Sequence, residues 1–404
     1  VSRRALLEIY QAGIESVDGR RRTAAALREE SLTGPVRLIA IGKAAPAMAL
    51  GAIDVLGPRI ADGLVVTRRG MRRPELDGRD AWLQLEAGHP VPDESSLAAG
   101  EALLARLAGA SPDALWLFLI SGGSSSLVEV LPPGLDLARL RRANEWLIGS
   151  GLPIGAVNAV RRRLSVLKGG RLAGRLDGRR CLALYISDVP GDAVSDIGSG
   201  LLALAPGSSP TPTLPDWLRA VPEPGRPPAP PIPIRHRVIA SLAVALIACE
   251  TEARRHFDFV RRFDRRLDLD VEAAAKLVVD RLVAGPPGAY LWGGETTVRL
   301  PPDPGRGGRN QHLALACAMR LAGRSDAAVL CGATDGNDGP GEDAGGLVDG
   351  GSVRRGEAAG LGAADCFARA DAGSFLAAAG DLVSTGPTST NVNDLVIGVR
   401  SPAG

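Results

Sequence analysis

The sequence predicts an α/β protein whose first half forms a mostly parallel sheet with helices on both faces. Three observations carry that expectation. Short apolar runs of strand length alternate with longer helix-like stretches, the order that builds parallel crossovers. Several of those runs end in glycine, where an open α/β sheet turns into its next helix. The chain has 404 residues, 45% hydrophobic and 23% charged, which suits two domains of ordinary size and excludes bulk disorder.

Taken in order, residues 4–17 read as a helix with Leu6, Leu7 and Tyr10 on one apolar face. An apolar strand at 36–41 then changes abruptly, through Gly42, into a helix of small residues. Further strands are expected at 63–67, 115–122 and 181–188, with a helix at 94–108 that Asp93 is placed to cap. Between Pro206 and Pro233 lie 11 prolines in 28 residues, which predicts a long loop because proline interrupts both helices and central strands. Helical patterns resume at 237–252 and 269–284, a strand follows at 289–294, and QHLALACAMRLA reads as helix. AAVLCGATDG reads as strand into loop, and AGSFLAAAGDLV as helix into a glycine-rich terminus. A division near residue 236 gives domains of 1–236 and 237–404.

Composition limits the function. With 47 Lys and Arg against 45 Asp and Glu, the net charge is only +2, so no global field draws the chain to a polyanion. Aromatic residues make up 3%, which argues against capture of nucleic-acid bases by stacking. No run approaches the ~20 apolar residues of a membrane span. Five scattered cysteines predict thiols in a reducing, cytoplasmic setting with no disulfide framework. Lysine occurs only at positions 43, 168 and 276 of an arginine-rich chain, so each lysine merits separate inspection.

Several strand ends hold candidate chemistry. In IGKAAPAM (41–48), Gly42 and Lys43 stand where a strand meets a helix, a place suited to a phosphate or carboxylate; packing alone is the competing explanation. LISGGSSSL (119–127) offers Gly122 and Gly123 for successive N–H donors and Ser124 and Ser125 for short polar contacts. It lacks the G-x-S-x-G elbow of a serine hydrolase. His89 in GHPVPDE either lines a cleft or supports its turn. NAVRRRLSVLKGGRLA (158–173) is either a basic cluster that reaches an acidic substrate, with Arg161 and Ser165 one helical turn apart, or an amphipathic helix ending at glycine with its basic residues in solvent. Asp188 closes a strand before a Pro-Gly interruption, where a carboxylate can orient a hydroxyl or hold hydrated magnesium. Glu295 follows a strand and two glycines. Arg309 sits in GRGGRNQH as a planar fork for an anion, and Asp335 opens a glycine-rich acidic loop. No spacing of His or Cys predicts a zinc site, and the metal ligands are left unassigned.

Together these motifs resemble the glycerate 2-kinase family, with an amino-terminal Rossmann-like α/β/α domain and a carboxyl-terminal MOFRL domain. The resemblance runs from IGKAAPAM through SDVPGD and GRGGRN to STGPTSTNVNDL (384–395). It implies a two-domain glycerate-kinase-like fold with an interdomain active-site cleft and ATP-dependent phosphorylation of D-glycerate at its 2-hydroxyl. On this resemblance Lys43, Asp188 and Arg309 are the catalytic candidates. Gly122, Gly123, Ser124 and Ser125 would cradle phosphates, and Glu295 and Asp335 would organise Mg²⁺-ATP. Partners are D-glycerate and nucleotide, with no nucleic acid and no membrane, and both monomer and homodimer are open. Departures from the family pattern are the serine-rich GGSSS, His312 where glutamate is common, the missing proline in GSGLL, and Ser389 where glycine is common. Two alternatives stand beside the kinase: a hydroxypyruvate or tartronate-semialdehyde reductase, and a noncatalytic small-acid or nucleotide-binding protein. The reductase lacks support from any strand–G-x-G-x-x-G–helix arrangement.

Overall fold

A computed structural model describes residues 3–109, 111, 113–204, 212–225, 227 and 232–402. It divides into two compact units, Gly19–Ser241 and the combination of Val1–Asp18 with Leu242–Gly404. The division expected at 236/237 therefore differs in two ways. The helix Arg3–Ser16 joins the carboxyl-terminal unit, where Tyr10 donates its hydroxyl proton to the Ala333 carbonyl at 2.6 Å. The strand Arg235–Ala240 joins the other unit.

The Gly19–Ser241 unit is built on β1 (Val36–Ile41), β2 (Ile60–Arg68), β3 (Trp82–Ala87), β4 (Leu115–Ile120), β5 (Cys181–Ile186) and β6 (Arg235–Ala240). All are parallel, in the order β3-β2-β1-β4-β5-β6. The chain thus winds outward from β1 in one direction and from β4 in the other, the doubly wound arrangement in which ligands bind outside the carboxyl ends of the two central strands. β1, β4 and β5 are almost wholly buried, because helices cover both faces, so they read as continuous apolar runs. Ile39, Ile41, Trp116, Phe118 and Tyr185 form the middle of that core, and burial of each such side chain contributes about 1.5–3 kcal/mol. The expected cap is present: Asp93 accepts N–H bonds from Ser95 at 3.0 Å and Ser96 at 3.2 Å at the start of Glu94–Ala108. Hydrogen bonds from Ser95, Arg69 and Ser96 outweigh the opposing desolvation and hold the Asp93 carboxyl down at about 2.

The second unit carries β7 (Val260–Arg262), β8 (Gly288–Gly294), β9 (Ala327–Ala333), β10 (Gly345–Asp349), β11 (Leu382–Val383) and β12 (Asp394–Arg400) in the order β11-β10-β9-β12-β8-β7. Only β7 and β8 run parallel; the remaining pairings are antiparallel. β12 therefore starts where β8 and β9 end, with Asp394 opposite Gly294 and Ala333. The pattern read as a helix at 237–252 resolves into most of β6 followed by the helix Leu242–Ala253. The helix Ile154–Arg163 stops before Ser165, so the one-turn spacing of Arg161 and Ser165 does not occur. Of the proline-rich loop, residues 206–211, 226 and 228–231 lie outside the described residues, and its described part holds the short helix Asp216–Arg219. All five cysteines are free and buried. Among the described residues no helix is long and apolar enough to cross a membrane.

Candidate active site

In the Gly19–Ser241 unit, the loops after β1 and β4 meet at the carboxyl edge of the sheet where the winding reverses. They are laced together: Lys43 N–H donates to the Gly122 carbonyl at 2.9 Å, Ser121 N–H to the Ile41 carbonyl at 3.0 Å, and Ala44 N–H to Ser121 Oγ at 3.0 Å. Only glycine fits at position 42, where φ is +134° and an added Cβ would lie 2.1 Å from Ser121 Oγ. This lacing corrects one expectation. The first N–H groups after β1 are already bonded to protein, so the β1 loop contributes to an anion chiefly through the Lys43 side chain.

The unused donors lie in the β4 loop. Among the described residues, no acceptor meets the N–H groups of Gly122 and Gly123, although Gly122 is buried. Gly123 adopts φ +87°, so the two donors sit in a glycine turn of the kind that holds oxyanions. An added Cβ at Gly123 would lie 3.2–3.3 Å from the His89 ring and from Lys43 Cγ, which places both side chains against this turn. His89 Nδ1 is 2.9 Å from Ser126 Oγ.

The serines divide by role. Ser124 is fully buried and its hydroxyl has no hydrogen-bond partner among the described residues. Ser125 Oγ is 2.5 Å from Ser199 Oγ, and Ser199 donates to Asn158 Oδ1 at 2.9 Å, so Ser125 braces the loop. Ser199 itself holds φ +57°, an uncommon conformation for a residue with a side chain, and it is kept there between two glycines, Gly198 and Gly200, of positive φ. Asp188 lies two residues beyond β5, half-buried at this same sheet edge. Its neighbour Ser187 is anchored by an N–H bond to the Ala240 carbonyl at 2.9 Å.

In the other unit the ends of β8 and β9 and the start of β12 collect an arginine and several carboxylates. Arg309 begins the helix Arg309–Leu321, is paired with Glu295, and lies 3.5 Å from Asp394 Oδ2. Glu295 also accepts from Asn393 Nδ2 at 3.1 Å. Asp338 caps the helix, accepting the N–H of Asn310 at 3.0 Å and of Gln311 at 2.7 Å. Burial raises the Asp338 carboxyl, against those two backbone donors and the charge of Arg309. Burial likewise pushes the Asp394 carboxyl up to about 7; Arg309 opposes this, while Glu295 and Asp338 reinforce it. Burial works to lower the Arg309 guanidinium, and the charges of Asp394 and Glu295 outweigh it, so its pKa rises.

Thus Lys43, Gly122, Gly123, Ser124, Ser125 and Asp188 share one sheet edge, and Arg309 and Glu295 are in direct contact. The structure occupies Glu295 with Arg309 and Asn393. Asp335 shapes its own loop, its Oδ1 accepting the Asn337 N–H at 3.1 Å. Asp394 escaped the sequence reading; the available signal was the polar NVND run immediately before an apolar segment. Ser389, where glycine is common, does take a glycine-like φ of +63°. Among the described residues no three His, Cys, Asp or Glu side chains are grouped as a metal cage. Magnesium carried on nucleotide phosphates keeps several waters and needs only one or two carboxylates.

A doubly wound sheet with unused N–H donors and a lysine at its switch point defines an α/β protein equipped for an anionic ligand. Residues 5–212 match a domain described as of unknown function, DUF4147, and residues 288–394 match the MOFRL family. A D-glycerate 2-kinase of Thermotoga maritima is 34% identical, with 97% of each chain covered. An Agrobacterium vitis protein bearing a provisional hydroxypyruvate reductase name is 36% identical over 98% of this chain and 93% of its own. The crystal structure of a Thermotoga maritima glycerate kinase superposes with a TM-score of 0.84 at 32% identity, covering 98% of this chain and 99% of that one. The chain belongs to the glycerate 2-kinase family.

Proposed function

We propose that this kinase uses Lys43, Asp188 and Arg309 to phosphorylate D-glycerate at its 2-hydroxyl, with ATP as donor and 2-phosphoglycerate and ADP as products. The observation that carries the site assignment is the pair of unused N–H groups on Gly122 and Gly123 beside Lys43 at the switch point. Phosphoryl transfer requires alignment and charge compensation more than a strong base, because negative charge spreads over the transferring oxygens. The glycine turn holds phosphate oxygens, with the buried Ser124 hydroxyl nearby. Lys43 meets the charge on the transferring group with a compact ammonium. Asp188 orients the 2-hydroxyl and accepts its proton as transfer proceeds. Arg309 presents its planar fork to an anionic oxygen, and Glu295 and Asp394 fix its orientation. Magnesium, when bound with the nucleotide, would neutralise phosphate charge.

The neighbourhood of β1 distinguishes this reading from a reductase. A dinucleotide enzyme uses a G-x-G-x-x-G turn so that free N–H groups can approach the pyrophosphate. Here that turn reads Gly42-Lys43-Ala44-Ala45-Pro46, and the N–H groups of Gly42, Lys43 and Ala44 are bonded to Val66, Gly122 and Ser121. A cytoplasmic setting accords with the five thiols. Purified protein supplied with D-glycerate and Mg²⁺-ATP should give 2-phosphoglycerate, resolved from 3-phosphoglycerate, and should not oxidise NAD(P)H with hydroxypyruvate. The reverse pattern would overturn the proposal, as would ligand binding with no turnover.

A further inference from the structure

Three consecutive arginines end the helix Ile154–Arg163, and two of them are committed to the protein. Arg162 donates to the Ser195 carbonyl at 2.9 Å, to the Ser199 carbonyl at 3.4 Å, and to Asp196 at 2.5 Å. Arg163 donates to Glu223 and to the Arg219 and Val221 carbonyls at 2.8–3.2 Å. Arg171 nearby is bonded to the carbonyls of Arg162, Ser165, Lys168, Pro224 and Gly225. Arg161 differs. Among the described residues its guanidinium makes no hydrogen bond, and the side chain is half-buried with its nitrogens not sealed from water. Desolvation pulls its pKa down, with only the charge of Glu129 acting against it.

Glu129 does not complete that site, because it is already paired. Glu129 and Lys168 form an ion pair with side chains 2% and 1% exposed, and Glu129 Oε1 also accepts the Val130 N–H at 3.0 Å. Arg161, Lys168 and Glu129 together leave one excess positive charge in a setting of low dielectric. A half-buried guanidinium with no protein acceptor among the described residues has five donors to offer an anion, which can replace water on it. The location is part of the same edge: Arg161 lies one helical turn from Asn158, which holds Ser199, which holds Ser125 of the glycine–serine turn.

We infer that Arg161 is the residue that binds the carboxylate of the hydroxy-acid substrate. This assignment rests on the kinase reading and deepens it. A planar fork matches a carboxylate with two parallel hydrogen bonds. Electrostatics favour Arg161 over Arg309 for that group. Around Arg309 stand Glu295, Asp394 and Asp338, whose ionised forms disfavour a further carboxylate, whereas Arg161, Lys168 and Glu129 carry one excess positive charge. Arg309 is then left for the phosphoryl side of the reaction.

The test compares Arg161→Met and Arg161→Lys with wild type and with Arg162→Met. KM for D-glycerate should rise at least about tenfold in Arg161→Met, while KM for ATP changes less than about threefold. Arg161→Lys should recover part of the loss, because it restores charge without the fork. Since Arg161 makes no hydrogen bond to the described residues, Arg161→Met should melt close to wild type, whereas Arg162→Met should melt lower. Calorimetry of D-glycerate binding to the nucleotide-free proteins supplies a readout without turnover. Unchanged glycerate affinity in a folded Arg161→Met protein would overturn the inference, as would a loss confined to ATP. Wild-type protein that neither binds nor phosphorylates D-glycerate would instead defeat the kinase reading itself.

Discussion

Replacing Asp394 by asparagine should flatten the dependence of stability on pH, and the structure sets the size of the effect. Asp394 is 5% exposed and its Oδ2 accepts no hydrogen bond among the described residues. Burial, with Glu295 and Asp338 nearby, lifts its carboxyl from 3.8 to about 7, a value that already includes the favourable pull of Arg309. A carboxyl whose pKa is higher in the folded state keeps its proton on folding across that interval. The folded state therefore binds more protons than the unfolded chain, and stability falls as pH rises from about 4 to about 7. Linkage over those two values gives a loss of roughly 2–3 kcal/mol between about pH 5 and about pH 8.5. Asparagine has the same size and no charge, so it removes this slope. Other titrations overlap the window, including His312, whose buried ring is held down to about 4 by desolvation. Groups such as His312 that do not interact with Asp394 titrate alike in both proteins and cancel in the difference. Urea unfolding of wild type and Asp394→Asn at closely spaced pH values should show the mutant gaining on wild type by roughly 2–3 kcal/mol up to about pH 8.5. A difference constant within about 0.5 kcal/mol, several-fold below the linkage estimate, would refute the argument that Asp394 ionises only at an energetic cost.

Lys43→Ala should lower phosphoryl transfer at least about tenfold, because it removes the ammonium beside the glycine turn; single-turnover kinetics in a protein of normal melting temperature checks this, and unchanged turnover and nucleotide affinity would reject the role. Asp188→Asn should keep its folding stability and lose much of kcat, since the amide cannot accept the hydroxyl proton. If Asp188 instead steadies magnesium, Mg²⁺-ATP affinity will fall while transfer at saturating metal stays normal. Lys168→Met should destabilise the protein by roughly 3 kcal/mol, because Glu129 is left buried without its partner, and Glu129→Gln in the same chain should restore part of the loss. Denaturant unfolding measures both, and equal stabilities for single and double variants would show that the two residues are not energetically coupled.

How much could be read from the chain depended on how local the determining physics was. β1, β4 and β5 were legible because burial on both faces makes them uninterrupted apolar runs ended by Gly42, Ser121-Gly122 and Ser187-Asp188. β3 escaped because its burial is mixed and Gln84 and Glu86 interrupt the run. β12 escaped because a short apolar run beside glycine carries no periodicity to distinguish strand from helix, and only pairing between β8 and β9 decides it. The same distinction governs the site. The types and order of Lys43, Gly122, Gly123, Asp188 and Arg309 are sequence properties, and the family resemblance rests on them. Which donors are left unused is not. That the β1 loop spends its N–H groups on Gly122 and Ser121, while the β4 loop keeps two unused among the described residues, follows from two strands lying side by side, with Ala44 and Ser121 77 positions apart in the chain. Likewise nothing in Arg-Arg-Arg says which guanidinium lacks a partner. Arg162 and Arg163 are matched by Ser195, Asp196 and Glu223 from distant segments, and Arg161 stands out only once those matches are made. The sequence thus supplies the chemical groups, and the fold determines which remain uncommitted and able to act on a ligand.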